Sequence, residues 1–375
     1  MDPTTDPTTD TPVRLPAGPV TLRPLRTGDL DDIVTGCNDP LVQRFVPLPG
    51  PYTRDHAVAW ITERVPADRA AGGIQLAIAD PATDRLLGAV GIQRVQGTSG
   101  EIGYWVAPWG RGRGAATAAT RALTAWAFQD RFSRLELRTE LENGASQRVA
   151  GNAGYTRDGV LRGAGLTRDG SRVDLVCFTR LAGDLPGPVP RPLPDLPGGR
   201  LTDGVVTLRP VGPSDAAELI AMRSLADVYA AMVPAAPPDP VAVARACAHA
   251  DARWLEGTRA WMCIRDAATD AFAGELGLHA TDAASGEAMA GYNVTPRWRG
   301  RGYASRALRL VAGWAFGTAG LVRLTAGTAP DNGASRRVLE AVGFTREGCL
   351  RARLVGPGGT RHDSVLYSLL AGDPR

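Results

Sequence analysis

Two short basic, glycine-rich segments are the residues best suited to chemistry in this chain of 375 residues. In one, Arg111-Gly112-Arg113-Gly114-Ala115-Ala116 follows a strand-like GYWV and opens an apolar-periodic stretch. In the other, Arg299-Gly300-Arg301-Gly302-Tyr303-Ala304 follows GYNV in the same context. A glycine-rich turn opening a helix directs several backbone N–H groups at one point, and the helix dipole adds about half a positive charge there. The missing Cβ atoms let a diphosphate approach the backbone, and the arginines add direct charge. The pattern is not a Walker loop, because no Gly-Lys-Ser/Thr follows. Nor is it the dinucleotide fingerprint, because GxGxxG is not satisfied. Each segment reads as an anion cradle of diphosphate size.

The duplication extends to the whole chain. Val20–Pro24 (VTLRP) recurs as Val206–Pro210, Val106–Ala116 as Val294–Ala304, and Asn143–Arg162 as Asn332–Arg351, at offsets of 186, 188 and 189 residues. A period this long means two copies of a domain rather than a solenoid. Residues 182–200 hold six prolines between the copies, so residues 183–203 read as a linker, either a semi-rigid spacer or a loop wrapped against one domain. The expected domains are residues 19–182 and 204–371, after a disordered tail at 1–18.

Each copy shows the same element order. A short strand (20–26; 205–211) leads to two helices, the second at 54–69 and 239–256. Three strands follow, then the cradle and a long helix (about 113–129; 302–317), then a strand, a short helix and two closing strands. The expected fold is α/β, a mixed sheet covered by helices, built twice. Trp60, Trp126, Trp254 and Trp314 fall in helical patterns and read as packing residues.

Composition excludes several classes. Hydrophobic residues are 44% of the chain, and 42 basic residues face 39 acidic ones for a net charge of +3. That balance does not indicate a nucleic-acid binder. All the basic residues are Arg, which with the abundant Ala, Gly and Pro reads as coding bias of a GC-rich kind. Cys37, Cys177, Cys247, Cys263 and Cys349 form no CxxC pair, and His56, His249, His279 and His362 are not at metal-ligand spacing. Neither a disulfide framework nor a metal site is expected. No apolar run approaches the ~20 residues of a membrane span, and the acidic, Pro/Thr-rich start is no signal peptide. The expected location is the cytoplasm.

At these residues the chain resembles the GCN5-related N-acetyltransferase (GNAT) superfamily, whose diphosphate signature is Gln/Arg-x-x-Gly-x-Gly/Ala. Arg297, Gly300 and Gly302 match it in full; the first copy departs at one position, with Trp109 before Gly112 and Gly114. The TLRP strand, EIGYWV before the cradle and the later Asn-x-x-Ser resemble the branch that acetylates ribosomal-protein N-termini. The resemblance implies acetyl-CoA as co-substrate and direct acetyl transfer to an amine. It places a carbonyl-polarising backbone N–H at Val106 and Val294. It also places a general base at Glu101, a proton donor or cofactor contact at Ser146 and Ser335, and pantetheine contacts at Asn143 and Asn332. Asn143 and Asn332 would serve equally as helix caps.

The copies then diverge. Aligning Gly103 with Gly291 sets Met289 opposite Glu101, with Glu287 one pleat repeat away. The tyrosine acid used by many superfamily members is absent, since Ala150 and Leu339 stand there. Tyr104 and Tyr292 could line an acceptor pocket or pack in the sheet, and Asp174 and Asp363 could meet an amine or serve the last hairpin. The first copy is therefore the expected catalytic one. The two copies could pair as an internal pseudo-dimer in a monomer or homodimer. The alternatives are a non-catalytic CoA- or partner-binding module, or transfer from a longer acyl-CoA or a carrier.

Overall fold

A computed structural model describes residues 13–232, 235–282, 285–356 and 359–374. The chain divides into two units, Met1–Pro190 and Arg191–Arg375. The first contains β1 (Leu15–Ala17), β2 (Val20–Arg23), α1 (Leu30–Cys37), α2 (Pro40–Phe45), α3 (Arg54–Ala59) and α4 (Val65–Ala70). It continues with β3 (Ile74–Ala79), β4 (Leu86–Gln96), β5 (Ser99–Val106), α5 (Ala115–Asp130), β6 (Arg134–Glu140), α6 (Gly144–Asn152), β7 (Thr156–Leu166) and β8 (Arg172–Leu181).

The second unit repeats the plan. It contains β9 (Leu201–Thr202), β10 (Val206–Pro210), α7 (Ala216–Arg223), α8 (Ala226–Tyr229), α9 (Pro240–Ala248), α10 (Ala250–Leu255), β11 (Arg259–Asp266), β12 (Phe272–Asp282) and β13 (Glu287–Val294). There follow α11 (Tyr303–Gly317), β14 (Arg323–Thr328), α12 (Gly333–Val342), β15 (Thr345–Val355) and β16 (Arg361–Leu370).

The two sheets have the same order, β1-β2-β3-β4-β5-β6-β8-β7 and β9-β10-β11-β12-β13-β14-β16-β15. Every pairing is antiparallel except β5 with β6 and β13 with β14. Strand alternation feeds two cores per unit. In the first unit Ile102 and Leu135 pack beneath α5 with Leu123, while Trp105 and Ala89 face α1 and α3 with Ile33 and Ala57. In the second, Leu278 and Val311 share one core, and Trp261, Leu219 and Val243 share the other. The recurring Arg-Pro of the opening strands has a structural use. Arg23 donates to both carboxylate oxygens of Asp29 at 2.8 and 2.7 Å, and Arg209 does the same to Asp215 at 2.9 and 2.5 Å.

The structure sharpens three sequence expectations. Residues 1–12 of the expected tail lie outside the described residues, but 13–18 are ordered. Val13 is buried, and Leu15 pairs with Leu22 across an antiparallel ladder. The segment between the domains, read as either a spacer or a packed loop, is packed along its length. Val189 N–H donates to the Gly151 carbonyl in the first unit. In the second, Leu193 and Leu196 are core residues, the Trp254 indole N–H reaches the Pro194 carbonyl at 3.0 Å, and Leu201–Thr202 is a strand. The expected long helices are also interrupted. Residues 54–69 pass through a π-helical turn at Trp60–Arg64, next to Pro66, which lacks an N–H. Residues 239–256 break at His249, where ψ is 3°. Among the described residues no helix is long and apolar enough to cross a membrane, and no group of three His, Cys, Asp or Glu could hold a metal ion.

Candidate active site

The site grows from a fork in the sheet. β5 runs beside β6 for three pairs, from Ser99↔Arg134 to Glu101↔Glu136, and the ladder then stops. β13 and β14 part after the corresponding pair, Met289↔Thr325. Ala107 N–H donates to the Leu87 carbonyl, which makes Gly88↔Val106 a pair without mutual hydrogen bonds. Val106 therefore turns its own N–H and carbonyl away from β4, toward the open side of the fork. The second unit repeats this through Thr295 N–H to the Ala273 carbonyl and Gly274↔Val294. The approach is close: a Cβ at Gly88 would lie 2.2 Å from the Trp105 carbonyl oxygen, and one at Gly274 2.1 Å from that of Asn293.

The cradles sit where the forks end. Gly112 and Gly114 have φ of +73° and +72°, and Gly300 and Gly302 have +71° and +78°. This is left-handed backbone that glycine adopts without strain. Gly114 and Gly302 cap α5 and α11, and no side chain caps either helix. The first-turn N–H groups thus face outward without an intrahelical acceptor. A Cβ built on any of the four glycines meets nothing within 4 Å, so these positions are kept clear of protein. Ala115 and Tyr303 are buried and offer the cradle backbone only. The Tyr303 phenol bonds to Asp266, and burial, with that carboxylate's contribution, raises it to about 12.

The cradle arginines are not equivalent. Arg111 Nε donates to the Val106 carbonyl at 3.2 Å and pairs with Asp39; Arg299 Nε donates to the Val294 carbonyl at 2.9 Å and pairs with Asp227. Both guanidiniums tie the end of the fork to the helices that cover it. Burial alone would raise the Asp39 carboxyl, but Arg111 and the Val42 and Leu41 N–H groups hold it below its usual value. Arg113 lies 3.4 Å from Asp80, and Arg301 stacks at 5.7 Å over Trp298.

Across each fork a tyrosine meets a serine. Tyr104 Oη lies 2.8 Å from Ser146 Oγ, and Tyr292 Oη lies 3.0 Å from Ser335 Oγ. Burial raises both phenols above the usual value against the opposing effect of the serine hydrogen bond. Each phenol also lies within reach of the serine's backbone carbonyl, at 3.2 and 3.3 Å, so tyrosine and serine hydroxyls form one small network beside the fork. Asn143 and Asn332 accept from Ser146 and Ser335 N–H at 3.1 and 3.0 Å. They are helix caps that hold those serines in place.

Glu101 is the last paired residue of its fork. Arg94 Nη1 donates to both of its oxygens at 2.8 Å, Arg138 lies 3.7 Å away, and the side chain is 13% exposed. Met289 takes this place in the second unit, by the register Gly277↔Gly291 and His279↔Met289. Glu287 pairs with Arg323 at 3.6 Å, one pleat repeat back. The sequence did not point to Arg94 or Arg138. Arg138 stands two residues after Glu136 on one strand face, a period-two signal that becomes informative once β6 is set beside β5.

One further group was not legible. Glu275 on β12 is 4% exposed. It accepts from Arg223 Nε at 3.0 Å, Trp261 Nε1 at 2.8 Å and Asn293 Nδ2 at 3.1 Å. The register equates it with Ala89, which pairs with Ala77 and Trp105.

Fold and site define a tandem of α/β units, each with a forked sheet ending in a glycine-rich turn that opens a long helix. The acetyltransferase (GNAT) domain model matches residues 20–156 and again 206–345, and the chain belongs to that family. Among curated relatives, the uncharacterized N-acetyltransferase YoaA of Bacillus subtilis is 37% identical over 98 residues, which are 26% of this chain and 54% of that protein. The uncharacterized N-acetyltransferase p20 of Bacillus licheniformis is 32% identical over 97 residues, 26% of this chain and 54% of that protein. The chain thus spans about half the length of the curated relatives it matches. Among solved structures, Mycobacterium smegmatis RimJ in complex with CoA-disulfide is 29% identical, with 46% of this chain and 85% of that one covered and a TM-score of 0.41. The ribosomal-protein-S5-alanine acetyltransferase of Vibrio fischeri is 20% identical, with 47% and 98% covered and a TM-score of 0.43.

Proposed function

We propose that the chain is an acetyl-CoA-dependent N-acetyltransferase acting on a primary amine of a peptide or small molecule, and that the first unit performs the transfer. The observation that carries this reading is Glu101, oriented by Arg94 and Arg138 at the base of one fork, against Met289 at the base of the other. The cradles fit a diphosphate-bearing cofactor, because their glycines leave the N–H groups of α5 and α11 uncovered. Bound acetyl-CoA would supply the thioester from which the acetyl group moves to the amine nitrogen.

The residues of the first unit divide the work. Backbone N–H groups of Gly112 to Ala116 hold the diphosphate, and Arg113 adds charge beside it. The Val106 N–H faces the fork, where it can donate to a carbonyl oxygen as negative charge develops there. Glu101 takes a proton from the ammonium form of the acceptor through a water, which frees the nitrogen lone pair. Ser146, held by Tyr104 and Asn143, offers its hydroxyl proton to the departing thiolate. Gly300 to Ala304 form a second cradle without a carboxylate at the fork, which favours a binding role for the second unit.

The test is thiol release by the full chain from acetyl-CoA with a panel of free α-amine peptides and small amines. Release above the hydrolysis background with at least one amine supports the reading; background rates across the panel contradict it.

A further inference from the structure

The second unit holds an open cleft of about 430 Å³ that plays no part in the transfer proposed above. Its walls include Arg245, His249 and Arg253 from α9, α10 and the break between them; its floor includes Arg259, Trp261 and His279 from β11 and β12. That is three guanidiniums and two imidazoles with no carboxylate among the lining residues.

The nearby acids are already engaged. Glu256 accepts from Arg253 at 3.1 Å, at the rim. Glu275 lies behind the floor with Arg223, Trp261 and Asn293 on it. Arg245 and Arg259 make no ion pair with any described residue. Arg259 is wedged over the Trp261 ring at 4.2 Å, and its Nε is buried with no acceptor. Arg259 nevertheless lines the cleft together with Arg245 and Arg253, so the guanidinium charge gathered there has no carboxylate partner among the lining residues. Burial, and then Arg259, lower His279 below the usual histidine value, which leaves it a neutral donor or acceptor beside that guanidinium.

The first unit has no counterpart. Register equates Trp261 with Gln75 and His279 with Gln93, and Gln75 there bonds to Asp68 at 3.0 Å. The cationic cleft is therefore a property of one copy. It opens on the sheet face that carries Met289, one strand away across the pair His279↔Met289.

We propose that this cleft binds a small molecule carrying a carboxylate or phosphate, whose anionic group sits against Arg259 with Arg245 closing over it. The volume lies at the small end of ligand pockets, roughly 300–1,000 Å³, and guanidiniums suit both anions through paired N–H donors. The proposal does not depend on acetyl transfer, because binding is read directly.

The experiment is a calorimetric titration of the full chain with inorganic phosphate and, separately, with succinate, repeated on Arg259→Gln, on the surface variant Arg245→Gln and on the cradle variant Gly302→Asp. Saturable binding of either probe, weakened at least tenfold in Arg259→Gln and measurably in Arg245→Gln but unchanged in Gly302→Asp, is expected; the preferred probe identifies the anion. If Arg259→Gln does not fold, Arg245→Gln alone decides. No saturable binding of either probe overturns the proposal. So does binding that both arginine variants retain, or that is lost only in Gly302→Asp, which would place the anion in the cradle.

Discussion

The two units share strand order, fork, cradle and Tyr–Ser pair, yet the sheet faces beneath their first helices are opposites. In the first, Ala77, Ala89 and Trp105 make that face apolar, and charge is concentrated at the fork, where Glu101 and Glu136 meet Arg94, Arg134 and Arg138. In the second, Met289 and Thr325 end the ladder, with Glu287 and Arg323 paired one pleat repeat back, and Glu275, Arg223 and Arg259 add charge on the sheet face itself. The duplicated fold has kept the forked strands and the glycine turns and exchanged the side chains beside them. Backbone geometry is shared, and the side chains around the fork are where the copies differ.

The comparison can be broken most forcefully at Glu275. Arg223→Met would leave a buried carboxylate without its guanidinium and should destabilise the second unit by about 3–5 kcal/mol. The double change Arg223→Met with Glu275→Leu should recover much of that loss. Denaturant unfolding checks this; equal losses in single and double variants would show that the pair is not a unit. The cradles come next. Calorimetry with acetyl-CoA should give two sites per chain, and Gly114→Asp or Gly302→Asp should each weaken one site tenfold or more, about 1.4 kcal/mol. A stoichiometry of one in the unaltered chain would show that one cradle no longer binds.

Acid sensitivity sharpens the account of the second unit. Burial alone would raise the Asp215 carboxyl, but Arg209, the Gly212 N–H and Arg265 hold it below its usual value. A carboxyl depressed on folding contributes stability above the unfolded-state value of about 3.9, and that stability is lost as pH falls through the lower folded value. Asp215→Asn should therefore lower stability at pH 7 and flatten its decline below about pH 4; an unchanged slope between pH 5 and 3 would refute the assignment. The smallest effect is expected at the tyrosines. Tyr104→Phe should cost about 0.5–1.5 kcal/mol of stability and slow thiol release. Tyr292→Phe should leave the rate unchanged, and a matching slowdown there would give the second unit a share in catalysis.

How much of this was legible depends on whether a feature is local. The glycine turns opening α5 and α11 and the Asn–Ser pairs at 143/146 and 332/335 are encoded within a few residues and recur in both copies, so they were legible, the asparagines as either cofactor contacts or helix caps. The equivalence of Glu101 and Met289 was also readable, because Gly103 and Gly291 fix the register. What escaped depends on distant partners. Three residues, Leu15–Ala17, make a strand only because β2 lies beside them. The roles of Arg111 and Arg299 turn on where a guanidinium points, and both reach back to a strand-end carbonyl. Glu275 reads as an ordinary strand residue in FAGELGLHA, since its donors come from α7, β11 and β13.

The central claim is that one fork carries the base and the other does not. Its most direct test is steady-state thiol release by the full chain carrying Glu101→Gln, beside Met289→Ala, with acetyl-CoA and the best amine of the panel. The account predicts a fall of about 10²–10³ in kcat/KM for Glu101→Gln and an unchanged rate for Met289→Ala. Full activity in Glu101→Gln would contradict it.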